Sequence, residues 1–146
     1  MYPLNALLPG WQATGVPTVD LVDENYLRAP IERVAEAVHD EARWRLWWPD
    51  LRPAVFMDRG TAGIRWNITG ALVGSMEIWL EAYEPPLGGV LLHYYLRADP
   101  TAPGSGSRRA TVSRRAGHLH SLRWARSGKQ NLWNLKDELE AHEVGQ

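Results

Sequence analysis

The order of elements along the chain predicts one α+β domain, in which an antiparallel sheet packs against a long C-terminal helix. Apolar residues recur at helical spacing between residues 30 and 51, and they alternate with polar residues between 54 and 98. After residue 107 the chain has no proline and carries five spaced leucines. With 146 residues, 45% of them hydrophobic, the chain is long enough for one such domain and too short for two.

The sequence of residues 1–39 predicts an N-terminal extension, a strand and a short helix. Residues 1–17 are interrupted by prolines and glycines and lack the basic start of a signal peptide, so they are predicted to be an extension of a domain formed by residues 18–146. Residues 18–28 are rich in β-branched and aromatic side chains and predict a strand that ends before Pro30. The next stripe predicts a helix over residues 30–39, with Ile31, Val34, Ala35 and Val38 on one side.

A second short helix carries three tryptophans on one face. Asp40 is predicted to cap it, and Pro49 and Pro53 are predicted to end it. The residues that share the buried face are Trp44, Trp47, Trp48 and Leu51. Two interpretations remain open: the indoles pack directly on the sheet, or they form the rim of a cavity.

Four segments after Pro53 predict an antiparallel meander, at residues 54–59, 63–69, 72–83 and 90–98. In the second, Ile64, Trp66 and Ile68 alternate with polar residues, so they are predicted to share one face. The third segment alternates Met76, Ile78 and Leu80 with Glu77, Trp79 and Glu81. The facing of the fourth segment is ambiguous.

The chain beyond the meander predicts a flexible connector over residues 99–107 and a helix over residues 108–143. An unbroken helix of that length would extend about 54 Å. A compact domain of this size is about 38 Å across, so part of the helix must overhang, bend at Gly117 or Gly128, or be unformed. The arginine-rich start is the part expected to overhang.

Several segments carry a family resemblance. With the order of elements, they resemble the helix-grip fold of the START-like, or polyketide cyclase and dehydrase (SRPBCC), superfamily, and in particular an actinobacterial cyclase-like branch. The segments are APIERV at 29–34, WRLWWPD at 44–50, DRG at 58–60, GIRW at 63–66, EIWLE at 77–81, HYYLRADP at 93–100 and LWNLKDELE at 132–140. The resemblance implies a cavity between the sheet and the terminal helix. Common members have six or seven strands, whereas five are predicted here, which leaves the size of that cavity open.

Composition and spacing exclude several kinds of chemistry. The chain has no cysteine, so it forms neither disulfides nor thiolate metal sites and suits a reducing, cytoplasmic location. His118 and His120 are two positions apart on a predicted helix, about 200° around it, and cannot share one metal. No metal or cofactor is expected. The net charge of -1 argues against a protein dedicated to nucleic acid.

The leading functional prediction is the binding of a hydrophobic small molecule, such as a lipid, an acyl chain or a polyketide. Burial of apolar ligand surface, at about 25 cal/mol per Å², is sufficient to hold such a molecule without a catalytic group. The cavity between sheet and C-terminal helix would be lined by Trp44, Trp47, Trp48, Ile64, Trp66, Ile68, Ile78, Leu92, Tyr94 and Leu122.

A polyketide cyclase or aromatase is the first alternative. If the polar side of the strands faced inward, the cavity that the resemblance implies would place acid and base groups beside a substrate. The candidate base is His93 or Glu77, the candidate acid is Tyr95, and Arg65 or Arg97 would hold an oxyanion. The competing interpretation is that this side of the strands faces water, as charged residues of antiparallel sheets normally do. The apolar alternation of Met76, Ile78 and Leu80 favours the second interpretation.

An interaction protein is the second alternative. Residues 108–146 hold 8 basic and 4 acidic residues, whereas residues 1–107 hold 8 and 13. Arg108, Arg109, Arg114 and Arg115, with Arg123 and Arg126, could meet an anionic surface or an acidic partner. The sequence leaves the oligomeric state open, a homodimer included.

Overall fold

The sheet is open, antiparallel and five-stranded, and three α-helices accompany it. The computed structural model describes residues 15–144. The elements are β1 (Val19–Leu27), α1 (Ile31–Val38), α2 (Glu41–Trp47), β2 (Leu51–Asp58), β3 (Gly63–Gly70), β4 (Leu72–Ala82), β5 (Val90–Pro100) and α3 (Arg114–Val144). The strands lie in the order β1-β5-β4-β3-β2, and a short 3-10 turn, Gly60–Ala62, lies between β2 and β3. The predicted α+β class, strand count and element order are therefore confirmed.

One face of the sheet forms the core. Ile64 on β3 pairs with Ile78 on β4, which pairs with Tyr94 on β5, and all three are buried under the helices. The alternation predicted for β3 and β4 is thus confirmed. On β5, whose facing was ambiguous, the core side carries Val90, Leu92, Tyr94, Leu96 and Ala98.

The two short helices follow β1 as predicted, and Asp40 caps the start of the second one. The Asp40 side chain accepts a hydrogen bond of 3.0 Å from the backbone N–H of Ala42. Helix α2 ends at Trp47, and Leu51, predicted as the last residue of its apolar stripe, begins β2 instead. β2 starts earlier than predicted and contains Pro53, which an edge strand tolerates because one of its sides needs no backbone donor.

Helix α3 is one continuous element of 31 residues, about 46 Å long. It passes through Gly117 and Gly128 without interruption and begins six residues later than predicted. Residues 99–107 were predicted to be a flexible connector, but the Gly106 carbonyl accepts a backbone hydrogen bond of 2.7 Å from the Gly70 N–H. Residues 108–113, predicted as helix, are also tied to the sheet, with the Ala110 N–H bonded to the Pro100 carbonyl at 2.8 Å. Arg108 and Arg109 therefore precede the helix.

Three of the five leucines predicted to anchor α3 are buried: Leu132, Leu135 and Leu139. Helix α3 runs along β1 at the edge of the sheet, and Leu119 and Leu122 are exposed because they lie on the opposite side of the helix from the buried Trp124. The Ser121 hydroxyl donates to the Thr18 carbonyl at 3.0 Å and fixes this edge. Of the predicted N-terminal extension, residues 1–14 lie outside the described residues. Within residues 15–144, no helix is both long and apolar enough to cross a bilayer.

Candidate functional site: a pocket between β1 and α3

The indoles of the α2 segment reach the centre of the sheet and contact one another. Trp44 meets Trp66 edge-on at a centroid distance of 5.3 Å, and Trp48 meets Trp66 at 5.1 Å. Trp48 also stacks on Tyr94, with an interplanar angle of 14° and a centroid distance of 6.5 Å. The Trp44 indole N–H donates to the Val38 carbonyl at 2.7 Å. Offset and edge-on contacts of this kind are the favourable arrangements for aromatic pairs.

This aromatic cluster fills the space in which the sequence predicted a cavity. Between Trp48, Tyr94 and Leu132 the remaining volume is only about 10 Å³. That volume holds at most one water molecule, so no hollow of lipid or sterol size lies between these side chains. The first interpretation of the indole face, direct packing on the sheet, agrees with this geometry.

The predicted lining residues are brought together, with one exception. The buried ones are Trp44, Trp47, Trp48, Ile64, Trp66, Ile68, Ile78, Leu92 and Tyr94. Leu122 was expected among them but lies on the outward side of α3 with 39% of its surface exposed. The nine buried residues belong to one core cluster, and whether a ligand binds among them stays a prediction.

An open pocket of about 220 Å³ lies beside this cluster, between β1 and α3. Tyr94 forms its inner end, where it borders the aromatic cluster. Gly128 has no side chain, so the Tyr94 ring lies against the helix backbone at this point. A Cβ at position 128 would lie 3.1 Å from that ring. The lining residues are Leu21, Val22, Asp23, Tyr94, Trp124, Ala125, Gly128 and Lys129.

The charged residues that line the pocket, Lys129 and Asp23, are paired with each other. Lys129 on α3 pairs with Asp23 on β1, and its ammonium lies 5.7 Å from the Trp133 ring centroid. The Trp124 indole N–H is buried and finds no acceptor among the described residues. Burial raises the pKa of Tyr94. A hydrogen bond with Trp48 lowers this pKa and the negative charge of Asp23 raises it, but burial is the largest effect, so Tyr94 is neutral. Apart from the Asp23–Lys129 pair, the residues that line the pocket carry no ionised group.

The predicted acid and base residues lie on the other face of the sheet. Arg65 pairs across the strands with Glu77, and Glu77 with Tyr95, so these three side chains form one row pointing away from the helices. They are outside the cavity in which the cyclase hypothesis placed them, because strand alternation assigns them the side opposite Ile64 and Ile78.

That outer face is nevertheless partly shielded from water. Glu77 is only 5% exposed and contacts the Arg59 guanidinium at 3.4 Å. His93 is 7% exposed, stacks on Trp79 at 4.3 Å and lies 3.3 Å from a Glu81 carboxylate oxygen. Arg97 pairs with Asp20 at 3.3 Å. The interpretation that these residues simply face water was therefore right about the face and wrong about the degree of exposure, since Glu77 and His93 are buried.

The pocket residues on β1 and α3 were not among the predicted site residues. The signal that could have identified them is Gly128, since a glycine inside a helix usually has a packing reason. Asp23 gave a weaker signal, as a charged residue on the side of β1 that alternation assigns to the core. Within residues 15–144, no cluster of three or more metal-binding side chains occurs.

Comparison with known proteins identifies the fold. No family model and no curated protein sequence matches the chain. The crystal structure of DR_A0006 from Deinococcus radiodurans matches 85% of this chain and 98% of its own, at 14% identity and a TM-score of 0.59. The solution structure of the Aha1 dimer from Colwellia psychrerythraea matches 84% of this chain and 96% of its own, at 16% identity and a TM-score of 0.53.

A third match is to the di-domain aromatase/cyclase StfQ of the steffimycin biosynthetic pathway. It covers 88% of this chain and 52% of that one, at 14% identity and a TM-score of 0.49. At such identities the first two likenesses establish a shared arrangement and no shared activity. The chain has an α+β helix-grip fold, with an open five-stranded antiparallel sheet and a long C-terminal helix.

Proposed function

We propose that the protein binds a small apolar molecule between its sheet and its C-terminal helix, at the β1 edge. The observation that carries this proposal is the pocket of about 220 Å³ beside a tightly packed core. A dry apolar cavity of about 150 Å³ is enough to hold benzene, so this pocket suits a molecule of one or two small rings or a short acyl chain. The predicted lipid or polyketide ligand would need the aromatic cluster to move.

The polar side chains favour binding over catalysis. The pocket walls are Leu21, Tyr94, Trp124 and Ala125, which supply buried contact area, whereas the nearest charges, Asp23 and Lys129, neutralise each other. The acid and base candidates of the cyclase alternative lie across the sheet, and nothing in their arrangement adjoins this pocket. A homodimer stays a prediction that analytical ultracentrifugation would test.

Titration with toluene, indane and a long-chain fatty acid, followed by ¹H–¹⁵N NMR, tests the proposal. Toluene and indane should shift the backbone resonances of Ala125 and Gly128 in a saturable way, and the fatty acid should not. The variant Ala125→Trp fills the pocket mouth and should abolish the shifts. Ala141→Trp places the same indole on an exposed position of α3 and should leave them unchanged. An absence of saturable shifts with both small probes, or binding that survives in Ala125→Trp, would refute the proposal.

A further inference from the structure

The outward side of α3 combines arginines with exposed apolar side chains. Five exposed residues of α3 lie on the same side of the helix, at positions 115, 119, 122, 126 and 133. Residues 115 and 133 are five full turns apart. The five residues are Arg115, Leu119, Leu122, Arg126 and Trp133, here called the outer stripe. The stripe extends about 27 Å along the helix axis.

The charged residues of the chain segment that contains the stripe are all basic. No acidic residue occurs between Asp99 and Asp137, whereas eight lysines and arginines do. Four of these cations pair with acids elsewhere in the fold: Arg109 with Asp99, Arg123 with Asp50, Lys129 with Asp23, and Lys136 with Glu140. The other four, Arg108, Arg114, Arg115 and Arg126, are exposed and form no ion pair with any residue between 15 and 144.

Two of these arginines oppose local helix stability. Arg114 and Arg115 begin α3, where the partial positive charge of the helix dipole favours acidic residues, and the first turn contains none. The Ser113 hydroxyl accepts a hydrogen bond from the Ala116 N–H at 3.1 Å and already supplies the cap. The arginines are therefore not needed for helix formation, and their positive charge is available to an external anion.

The apolar members of the stripe decide what kind of anionic partner fits. Leu119 is 58% exposed and Trp133 is 53% exposed, and both lie on the same side of α3 as Arg115 and Arg126. A nucleic acid would be bound through its phosphates and would leave these side chains in water. Helices that lie on a membrane surface combine leucine and tryptophan, which enter the boundary between headgroups and acyl chains, with lysine and arginine, which are attracted to anionic lipids.

We infer that the outer stripe of α3 is a docking surface for an anionic membrane. Arg115 and Arg126 contact lipid phosphates, and Leu119, Leu122 and Trp133 enter the boundary between headgroups and acyl chains. This surface is separate from the β1–α3 pocket, since none of its five members lines that pocket. The inference therefore does not depend on the proposed ligand.

Sedimentation of the full chain with phosphatidylcholine vesicles, with and without phosphatidylglycerol, tests this inference. The wild-type protein should bind only the anionic vesicles, and binding should weaken as salt is raised. Each arginine near an anionic membrane surface contributes about fivefold to the affinity. The variant Arg115→Glu/Arg126→Glu, which removes two of them, should therefore reduce the affinity for the vesicles by at least about 20-fold. Arg45→Glu/Arg52→Glu makes the same change in net charge at exposed positions of α2 and β2, and it should reduce the affinity by far less.

The apolar part has its own variant and control. Leu119→Ser/Trp133→Ser should weaken binding at least about fivefold, whereas Leu46→Ser/Leu87→Ser, which removes exposed apolar side chains elsewhere, should not. The inference is overturned if the wild type ignores anionic vesicles at low salt, if both charge variants behave alike, or if the Leu119/Trp133 variant binds normally. Tighter binding to DNA or to polyglutamate than to the vesicles, at equal salt, also overturns it.

Discussion

Gly128 shows how one residue shapes the pocket. In the middle of a helix, glycine is about 1 kcal/mol less favourable than alanine. Its presence is explained by Tyr94, whose ring lies directly against the helix backbone at this point. Gly128→Ala should therefore crowd the Tyr94 ring and narrow the pocket, reducing toluene affinity several-fold. The free energy of unfolding should change by less than about 1 kcal/mol, because the gain in helix propensity offsets the crowding.

Calorimetric titration and urea unfolding measure these two effects. Gly117→Ala is the matched control, since its Cβ would lie 3.2 Å from Thr18 Cγ2, at a place outside the pocket. It should keep toluene binding intact. Equal affinities in both variants and the wild type would show that Gly128 does not define the pocket.

The sequence predicted on which face of the sheet each strand residue lies, but it did not predict how deeply the residues of the outer face are buried. Alternation correctly separated Ile64 and Ile78 from Arg65 and Glu77. Glu77 is buried and contacts Arg59, which reaches it from the turn after β2. The strand that precedes Arg59 contains a register shift, and alternation reveals neither that shift nor the contact. For the indoles, helical spacing predicted burial but could not distinguish contact with other rings from contact with an empty volume.

At the scale of elements, the C-terminal end of α3 is held by charged contacts. Glu138 receives two hydrogen bonds from the Arg43 guanidinium, at 2.8 and 3.3 Å, and these lower the pKa of Glu138. Burial alone would raise the pKa of Glu140, but hydrogen bonds from Lys136 Nζ and the Arg28 backbone N–H outweigh it, so the pKa of Glu140 is lowered. These contacts connect α3 to α2 and to the end of β1.

The direction of the pH effect follows from these lowered pKa values. Both carboxylates are more acidic when folded than when unfolded, so their stabilisation is complete above the unfolded pKa, near 4.5, and is lost as pH falls below it. Solvent screens both pairs, so each contributes less than about 1 kcal/mol. The double variant Glu138→Gln/Glu140→Gln should be slightly less stable at pH 7 and should lose less stability than the wild type between pH 5 and pH 3, values chosen to bracket about 4.5.

Thermal unfolding across that pH range measures the effect. Glu36→Gln removes an exposed α1 carboxylate that forms no ion pair with the described residues, and it should retain the wild-type pH dependence. A double variant whose stability falls with pH as steeply as that of the wild type would show that these contacts do not hold the helix end.

The elements themselves were largely predictable because their signals are local. The Asp40 cap and the two-residue alternation lie within single segments, and both predictions are confirmed. The start of α3 was predicted six residues too early because nothing between Ser107 and Ser113 breaks a helix by composition. That segment instead turns back on residues 100–102, with the Ala102 N–H bonded to the Arg108 carbonyl and the Ala110 N–H to the Pro100 carbonyl, and helical periodicity does not reveal such pairing.

At the scale of the whole molecule, the aromatic cluster and the pocket compete for the same space between sheet and helix. Tyr94 and Gly128 border both the filled centre and the open edge, so removing one central indole should join the two volumes. Trp48 is the appropriate residue, because it stacks on Tyr94 and contacts Trp66.

Trp48→Ala should therefore lose about 3–5 kcal/mol in the free energy of unfolding, from the lost contacts and the space left behind. The same variant should gain affinity for a probe too large for the wild-type pocket, such as anthracene, because the indole's volume becomes continuous with the edge pocket. Urea unfolding and fluorescence titration provide the two measurements. Trp133→Ala removes an indole that is mostly exposed, so it should change neither property. If Trp48→Ala is as stable as the wild type, or is destabilised without accepting the larger probe, then packing of the cluster is not what limits the ligand to a small molecule.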